Sequence, residues 1–329
     1  MTTTHNNNPV LNQGYGKLGY FALGWFVLEF GLYAHAIVSG IREGESALWL
    51  VGKMLFIFVC IRVVMVSGNF IQTWLSRSPR KDDEQIDLRQ TVKLFFNELI
   101  AALWTYPFLF AFEPFLTPNR PAKNTPHQGP PIVLVPGFLC NRGYWVFMRR
   151  FLTQQGYANV YAVTLEPVFG SITRNAGMLA EFVEAVCEET GSDQVILIAH
   201  SMGGVTIRAY LHKHNGARRV ARAIALGSPF QGTALAAGPQ KLGRNLQQMV
   251  IGNPWAEEIN LSQAEAAPVP FVAVWSPHDS IVAPQEGSKI SPTYGQNICT
   301  PGIGHMEMVC SKPINNIVLD QIRQTSASA

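Results

Sequence analysis

Apolar and polar positions are distributed unevenly along this chain. Leu18 to Val38 (LGYFALGWFVLEFGLYAHAIV) and Ala47 to Ile71 are almost unbroken apolar and aromatic runs, separated by the short polar turn SGIREGES. Each run is about the 20 residues a helix needs to cross a bilayer. So short a connection predicts an antiparallel transmembrane hairpin. A third run, Leu94 to Leu116, is interrupted by Asn97, Glu98, Pro107 and Glu113. Its uncharged part, Leu99 to Phe112, is shorter than a comfortable span and fits an interfacial or re-entrant helix, with a third crossing as the alternative. The polar start MTTTHNNNPVLNQGYG reads as disordered and lacks the basic n-region and cleavage site of a signal peptide. Thr117 to Pro131, rich in Pro and polar residues, reads as a linker. The expected division is therefore residues 1–130 as a membrane-anchoring region and 131–329 as a second domain.

From Pro131 onward, short apolar runs alternate with helical patterns. PIVLVPG, NVYAVTLEP, QVILIAHS, VARAIALGSP, PFVAVWSPHDSIV and QNICT read as strands. NRGYWVFMRRFLTQQG, SITRNAGMLAEFVEAVCEETG (opened by Ser171 and closed by Gly191), MGGVTIRAYLHKHNG and KPINNIVLDQIRQ read as helices. Such alternation predicts an α/β fold, a mostly parallel sheet flanked by helices. Uninterrupted strands such as VILIA fit a sheet buried on both faces. In these sheets, function collects at the carboxyl ends of the strands.

Composition changes the picture in two places. Hydrophobic residues make up 47% of the chain and charged residues 14%, well below the quarter usual in soluble domains, and the deficit lies in the first half. The net charge of +3 and the lack of a basic, aromatic-interleaved stripe argue against nucleic acid as a partner. Arg77, Arg80, Lys81, Arg89 and Lys93 follow the second run, against Arg42 alone in the turn. The positive-inside rule therefore puts residues 72–93 in the cytoplasm. A flat third segment keeps the second domain there, and a crossing one moves it outside. Glu29 and His35 in the first run, with Lys53 and Arg62 in the second, are ionisable groups at membrane depth. Folding the hairpin about Glu43 sets Glu29 between Lys53 and Arg62, so an ion pair with one of them is expected; transport is the other use of such charges. The cysteines Cys60, Cys140, Cys187, Cys299 and Cys310 lack zinc-ligand spacing. Cys299 and Cys310 flank His305, either as a disulfide or as free thiols.

The candidate chemistry sits at strand ends. Ile198-Ala199-His200-Ser201-Met202-Gly203-Gly204 joins a strand to a helix. A nucleophile elbow needs small residues two before and two after its Ser, and Ala199 and Gly203 supply them in an A-x-S-x-G form. Serine needs a base to take its proton and an acid to orient that base, and with an elbow they follow in the order Ser, acid, His. Asp279, in the turn after WSPHDSIV, is the candidate acid, ahead of Glu286 and Glu307. His305, in the glycine-flanked loop GIGHMEMV, is the candidate base. His278 is the runner-up, and His212 and His214 belong to the helix after the nucleophile. An oxyanion hole is expected from the backbone N–H groups of Met202 and Phe138, the latter in the turn Pro136-Gly137-Phe138.

With these motifs in view, the part from about Ile132 resembles the α/β-hydrolase superfamily, in particular small bacterial triacylglycerol lipases and esterases. The PGF turn, AHSMGG, GSPFQGT at Gly227–Thr233 (similar to a G-T-P-x-x-G-T loop of that group), D-S-I-V at Asp279 and G-H-M at His305 carry the resemblance. Pro136 stands where His often precedes the turn glycine. The resemblance implies an α/β-hydrolase fold that begins at its third strand, a serine ester hydrolase, and neither metal nor organic cofactor. It does not reach residues 1–130. Between Thr233 and Pro270, Leu242, Leu246, Met249 and Val250 follow helical spacing, either as a cap over Ser201 or as a surface helix packed on the sheet. With the hairpin in front, the expectation is a multi-pass bacterial inner-membrane lipase or esterase acting on lipid acyl esters. An acyltransferase using the same triad and a membrane interaction protein with an inactive hydrolase domain are the alternatives.

Overall fold

The computed structural model describes residues 8–118, 120–121, 128–261 and 267–326. The first seven residues of the polar tail, much of the linker and residues 262–266 lie outside the described residues.

Two long helices open the chain, α1 (Lys17–Arg42) and α2 (Ala47–Leu75). Both are long and apolar enough to cross a membrane. They pack on one another as a hairpin turned at Glu43 and Gly44, where Gly44 adopts φ 91°. Of the two cations facing Glu29 in sequence, Arg62 is its partner. The guanidinium clasps the carboxylate with both terminal nitrogens, NH2 at 2.7 Å from Oε2, while Tyr33 donates to Oε1 at 2.8 Å. Arg62 also lies 4.1 Å over the Phe58 ring, and its pair is buried although most of the hairpin surface is not. A single truncation would strand one buried charge, a loss on the order of 3–5 kcal/mol.

The third apolar run does not form one helix. α3 (Leu88–Trp104) begins six residues before that run. A capping box sets its start: Gln90 N–H donates to Asp87 Oδ1 at 2.7 Å, and Asp87 N–H donates to Gln90 Oε1 at 2.9 Å. It ends in a π-helical turn over Thr105–Leu109, where Pro107 has no N–H to continue the ladder, and a four-residue α4 (Glu113–Leu116) follows. α3 buries Leu94, Glu98, Leu99, Ala101 and Ala102 and leaves Leu88, Val92, Phe96, Ile100 and Trp104 exposed.

The remainder alternates strand and helix: β1 (Ile132–Val135), α5 (Val146–Gln154), β2 (Val160–Ala162), α6 (Ile172–Thr190), β3 (Val195–His200), α7 (Met202–Lys213), β4 (Val220–Leu226), α8 (Arg244–Gln248), α9 (Pro254–Leu261), β5 (Phe271–Trp275), β6 (Gln296–Cys299) and α10 (Lys312–Ser326). Ser171 caps α6 through its hydroxyl and Gly191 closes it in the left-handed conformation. The strands form a parallel sheet in the order β2-β1-β3-β4-β5-β6. β1 to β5 are buried along nearly their whole length, because the sheet is covered on both faces. Val133, Val135 and Leu197 face a core with α6 and α7. Ile132, Leu134 and Ile198 face a second core with α5 and α10. Ala22, Ala101, Leu109, Phe110 and Ala111 join that second core, so the segment before residue 131 packs as part of the same body. The strand order reverses between β1 and β3, which opens a crevice beyond their carboxyl ends.

Candidate active site

Two loops meet at that crevice, the Pro136-Gly137-Phe138 turn after β1 and the elbow after β3. Ser201 sits between β3 and α7 with φ 55° and ψ −128°, a left-handed backbone that a residue with a Cβ occupies at a cost of about 1–3 kcal/mol. The strain lifts the side chain off the strand end and leaves Met202 as the first residue of α7. Gly203 explains the small residue two positions on: a Cβ there would collide with the carbonyl oxygens of Val135 and Pro136. Ala199 is fully buried in the sheet.

The elbow is tied to β4 by Ser201 N–H donating to the Leu226 carbonyl at 2.9 Å. Gly227, next along, borders Asp279 and His305; a Cβ on it would lie 3.0 Å from Asp279 Oδ2 and 3.3 Å from His305 Nδ1. Ser201, Asp279 and His305 thus gather around one strand end from three separate loops. His305 Nδ1 and Asp279 Oδ2 are 2.8 Å apart and both residues are buried. The other oxygen, Asp279 Oδ1, accepts from the N–H groups of Ile281 (2.8 Å) and Val282 (2.7 Å). Both carboxylate oxygens are thus engaged, which fixes the orientation of Asp279 toward His305. Burial pulls the His305 pKa down, but the charge and hydrogen bond of Asp279, helped by the Glu98 carboxylate, outweigh it and hold the pKa above 6.5. Among the described residues Ser201 Oγ makes no hydrogen bond to His305. Such contacts are often long before a substrate binds.

The N–H groups of Phe138 and Met202 have no protein acceptor among the described residues, which leaves both available to an oxyanion. Gly137 lies against Ser201, its notional Cβ 2.9 Å from Ser201 Cβ. Phe138 packs on Phe169 at 5.7 Å, and Leu139, Phe169 and Leu242 are exposed apolar side chains. Leu246 and Met249 instead join the core beside α6 and α7, with Val250 packed against it. Most of that predicted face is therefore a packed surface element.

The other candidates sit elsewhere. His278 accepts from Gly302 N–H through Nδ1 at 3.1 Å and faces α2 and α3. His212 bonds the Tyr294 hydroxyl at 2.9 Å. Glu286 pairs with Lys289 on the surface. All five cysteines, Cys299 and Cys310 included, are free thiols.

One carboxylate at the site was not singled out as a candidate in the sequence. Glu98 of α3 is buried against the loops of both Asp279 and His305. Its Oε2 lies 2.5 Å from Ser280 Oγ, and its Oε1 accepts from Glu307 N–H at 2.8 Å. Any Cβ at position 304 would collide with its side chain, which accounts for Gly304. Burial raises the Glu98 pKa. Glu307, held by Asn97 and facing Glu98, has its pKa pushed up to about 7, first by burial and then by the Glu98 charge. His200, behind the elbow, holds the His305 carbonyl with Nε2 at 3.0 Å.

Residues 130–244 match the family described as the alpha/beta hydrolase fold. Among solved structures, the chain is similar to the Bacillus licheniformis lipase BlEst2 in its mature form, with a TM-score of 0.53 and 17% identity over 61% of this chain and 95% of that one. It is also similar to Aspergillus fumigatus lipase B, with a TM-score of 0.56 and 13% identity over 81% of each chain. The domain that begins at Ile132 has the α/β-hydrolase fold, preceded by two apolar helices that form a hairpin.

Proposed function

We propose that the chain is a membrane-anchored serine hydrolase that cleaves the acyl esters of lipids. The observation that carries this reading is the buried His305–Asp279 pair beside a strained serine at a strand-to-helix elbow. In the reaction, His305 Nε2 takes the proton of Ser201 Oγ as the oxygen adds to the ester carbonyl. The Phe138 and Met202 N–H groups hold the oxyanion, and Asp279 stabilises the imidazolium. Collapse expels the alcohol, which leaves with the proton from His305, and a serine ester remains. Water repeats the sequence in place of Ser201 and releases the acid.

A lipid substrate follows from the surroundings. Phe21, Trp25, Leu32, Leu48, Trp49 and Phe56 are all more than half exposed on the hairpin, an apolar area that water does not tolerate on a soluble chain. A cavity of about 510 Å³ between the hairpin and the domain runs from Trp25 and Met65 past Tyr106 and Phe110 to Leu139, next to the oxyanion turn. An acyl chain fits such a lining. The lipase names of the similar structures point the same way. Ser78 N–H donates to Gln285 Oε1 at 3.0 Å and Arg80 Nε donates to the Pro277 carbonyl at 3.1 Å. The domain therefore rests on the segment that follows α2, which the positive-inside rule assigns to the cytoplasm. Nitrophenyl esters offered to the detergent-solubilised chain should turn over faster as the acyl chain lengthens. A rate that is negligible at every length would contradict an ester hydrolase.

Glu98 acts in this scheme as a positioning residue that holds the loops of the acid and the base from the membrane-side helix. Glu98→Gln keeps an oxygen to accept from Glu307 N–H and turns an NH₂ donor toward the Ser280 hydroxyl, but removes a negative charge near His305. The base works only when neutral, so activity rises with pH through the His305 pKa. Losing a charge that raises this pKa shifts the acid limb of kcat/KM to lower pH. A limb at the wild-type position would mean that Glu98 serves packing alone.

A further inference from the structure

A second cavity, of about 430 Å³, lies between the end of α2, the first turns of α3 and the loop of Asp279. Phe70, Trp74, Leu94 and Phe95 form its apolar wall, and Arg77, Arg80 and His278 form its polar end. Neither arginine has an ion pair among the described residues. They stand close enough for Arg77 to oppose the charge on Arg80, while Glu84 supports it more weakly. Arg80 spends only Nε, on the Pro277 carbonyl, and Arg77 lies 5.3 Å over the Trp74 ring. His278 is 97% buried by its 3% exposure. Its Nδ1 accepts a hydrogen bond from Gly302 N–H, so the neutral ring carries its proton on Nε2, and Nε2 is buried without a partner among the described residues. Two unpaired guanidiniums and an unanswered N–H donor call for an anion with several acceptor oxygens.

The anion has an apolar body. The wall of the cavity continues into Ile71, Trp74 and Leu75, exposed at the end of α2, where Trp and Arg mark the bilayer interface. Basic pockets at that depth on the cytoplasmic side suit the headgroups of anionic lipids. We propose that this cavity binds the phosphate of an anionic phospholipid through Arg77, Arg80 and His278 Nε2, with the glycerol and first acyl carbons against Phe70, Trp74, Leu94 and Phe95. His278 precedes Asp279 and bonds Gly302, three residues before His305, so the headgroup braces both loops that carry the acid and the base. The inference rests on the reading of α1 and α2 as membrane-inserted, which resistance to alkaline carbonate extraction tests separately.

Native mass spectrometry of the full chain in nonionic detergent, titrated with dioleoylphosphatidylglycerol, dioleoylphosphatidylcholine or inorganic phosphate, tests the site. One phosphatidylglycerol should bind at least about tenfold more tightly than phosphatidylcholine, and inorganic phosphate at the same concentration should not displace it. The double substitution Arg77→Gln and Arg80→Gln, both at exposed positions, should bring phosphatidylglycerol down to the level of phosphatidylcholine. Equal affinity for the two lipids on the unaltered chain, or binding indifferent to the double substitution, would overturn the proposal. Displacement by inorganic phosphate would overturn it too, in favour of a soluble anion. A chain that resists carbonate yet has no preference for phosphatidylglycerol sinks the headgroup site and leaves the membrane reading intact.

Discussion

Ser201→Ala should lower kcat on a long-chain nitrophenyl ester at least about a thousandfold while KM changes little. The substitution deletes only Oγ, the atom that forms the acyl-enzyme in the proposed mechanism, and leaves Asp279, His305 and the Phe138 and Met202 N–H groups in place. What survives is the hydrolysis that the oxyanion donors and substrate positioning support on their own. KM holds because the contacts of the acyl chain, along Leu139, Tyr106 and the hairpin, do not involve Oγ. Alanine meets the same backbone strain at φ 55°, so stability should change by about 1 kcal/mol or less, and a thermal melt beside the assay separates lost chemistry from lost folding. Equal and substantial rates for the two proteins would mean that another group is the nucleophile.

Asp279→Asn should cost on the order of 10⁴ in kcat, although it changes a single atom type. The reason is the division of labour between the two carboxylate oxygens. Oδ1 is held by two backbone donors, Ile281 N–H and Val282 N–H, so the amide oxygen of an asparagine must take that place. Its NH₂ then replaces Oδ2 and points at His305 Nδ1, 2.8 Å away in the unaltered protein. A donor facing Nδ1 forces the ring proton onto Nε2, and the imidazole can no longer accept from Ser201. The carboxylate that holds the His305 pKa above 6.5 is also gone. Because a neutral base with the wrong tautomer fails at any pH, raising the pH should not restore the rate. Recovery at alkaline pH would show that Asp279 acts through charge alone.

Much of the fold was legible because its physics is local. A sheet covered on both faces makes strands into continuous apolar runs, and VILIA at β3 and FVAVW at β5 declare themselves. The elbow was legible too, since its tight turn demands Ala199 and Gly203 around Ser201. What the sequence left open depends on contacts between distant segments. The hairpin placed Lys53 and Arg62 equally near Glu29, and only the packing of α1 on α2 selects Arg62. Glu98 looked like an interruption of an apolar run. Its partners Ser280 and Glu307 lie 182 and 209 residues away, so no spacing rule connects them. The same packing brings Ala101 and Phe110 into the core of the hydrolase fold, although a proline-rich linker separates them from it in sequence. Leu242, Leu246, Met249 and Val250 share helical spacing, yet Leu242 is exposed while Leu246 and Met249 are buried, because α8 ends after five residues.

The account stands on Ser201 as an activated nucleophile in a membrane-held enzyme. Its most direct test is to treat washed membranes holding the full chain with a fluorophosphonate and locate the adduct by peptide mass spectrometry. The account predicts one phosphonylated site, Ser201, with labelling lost in Ser201→Ala and strongly slowed in Asp279→Asn. An adduct on another residue, or an unlabelled Ser201 in membranes where a known serine hydrolase reacts, would contradict it.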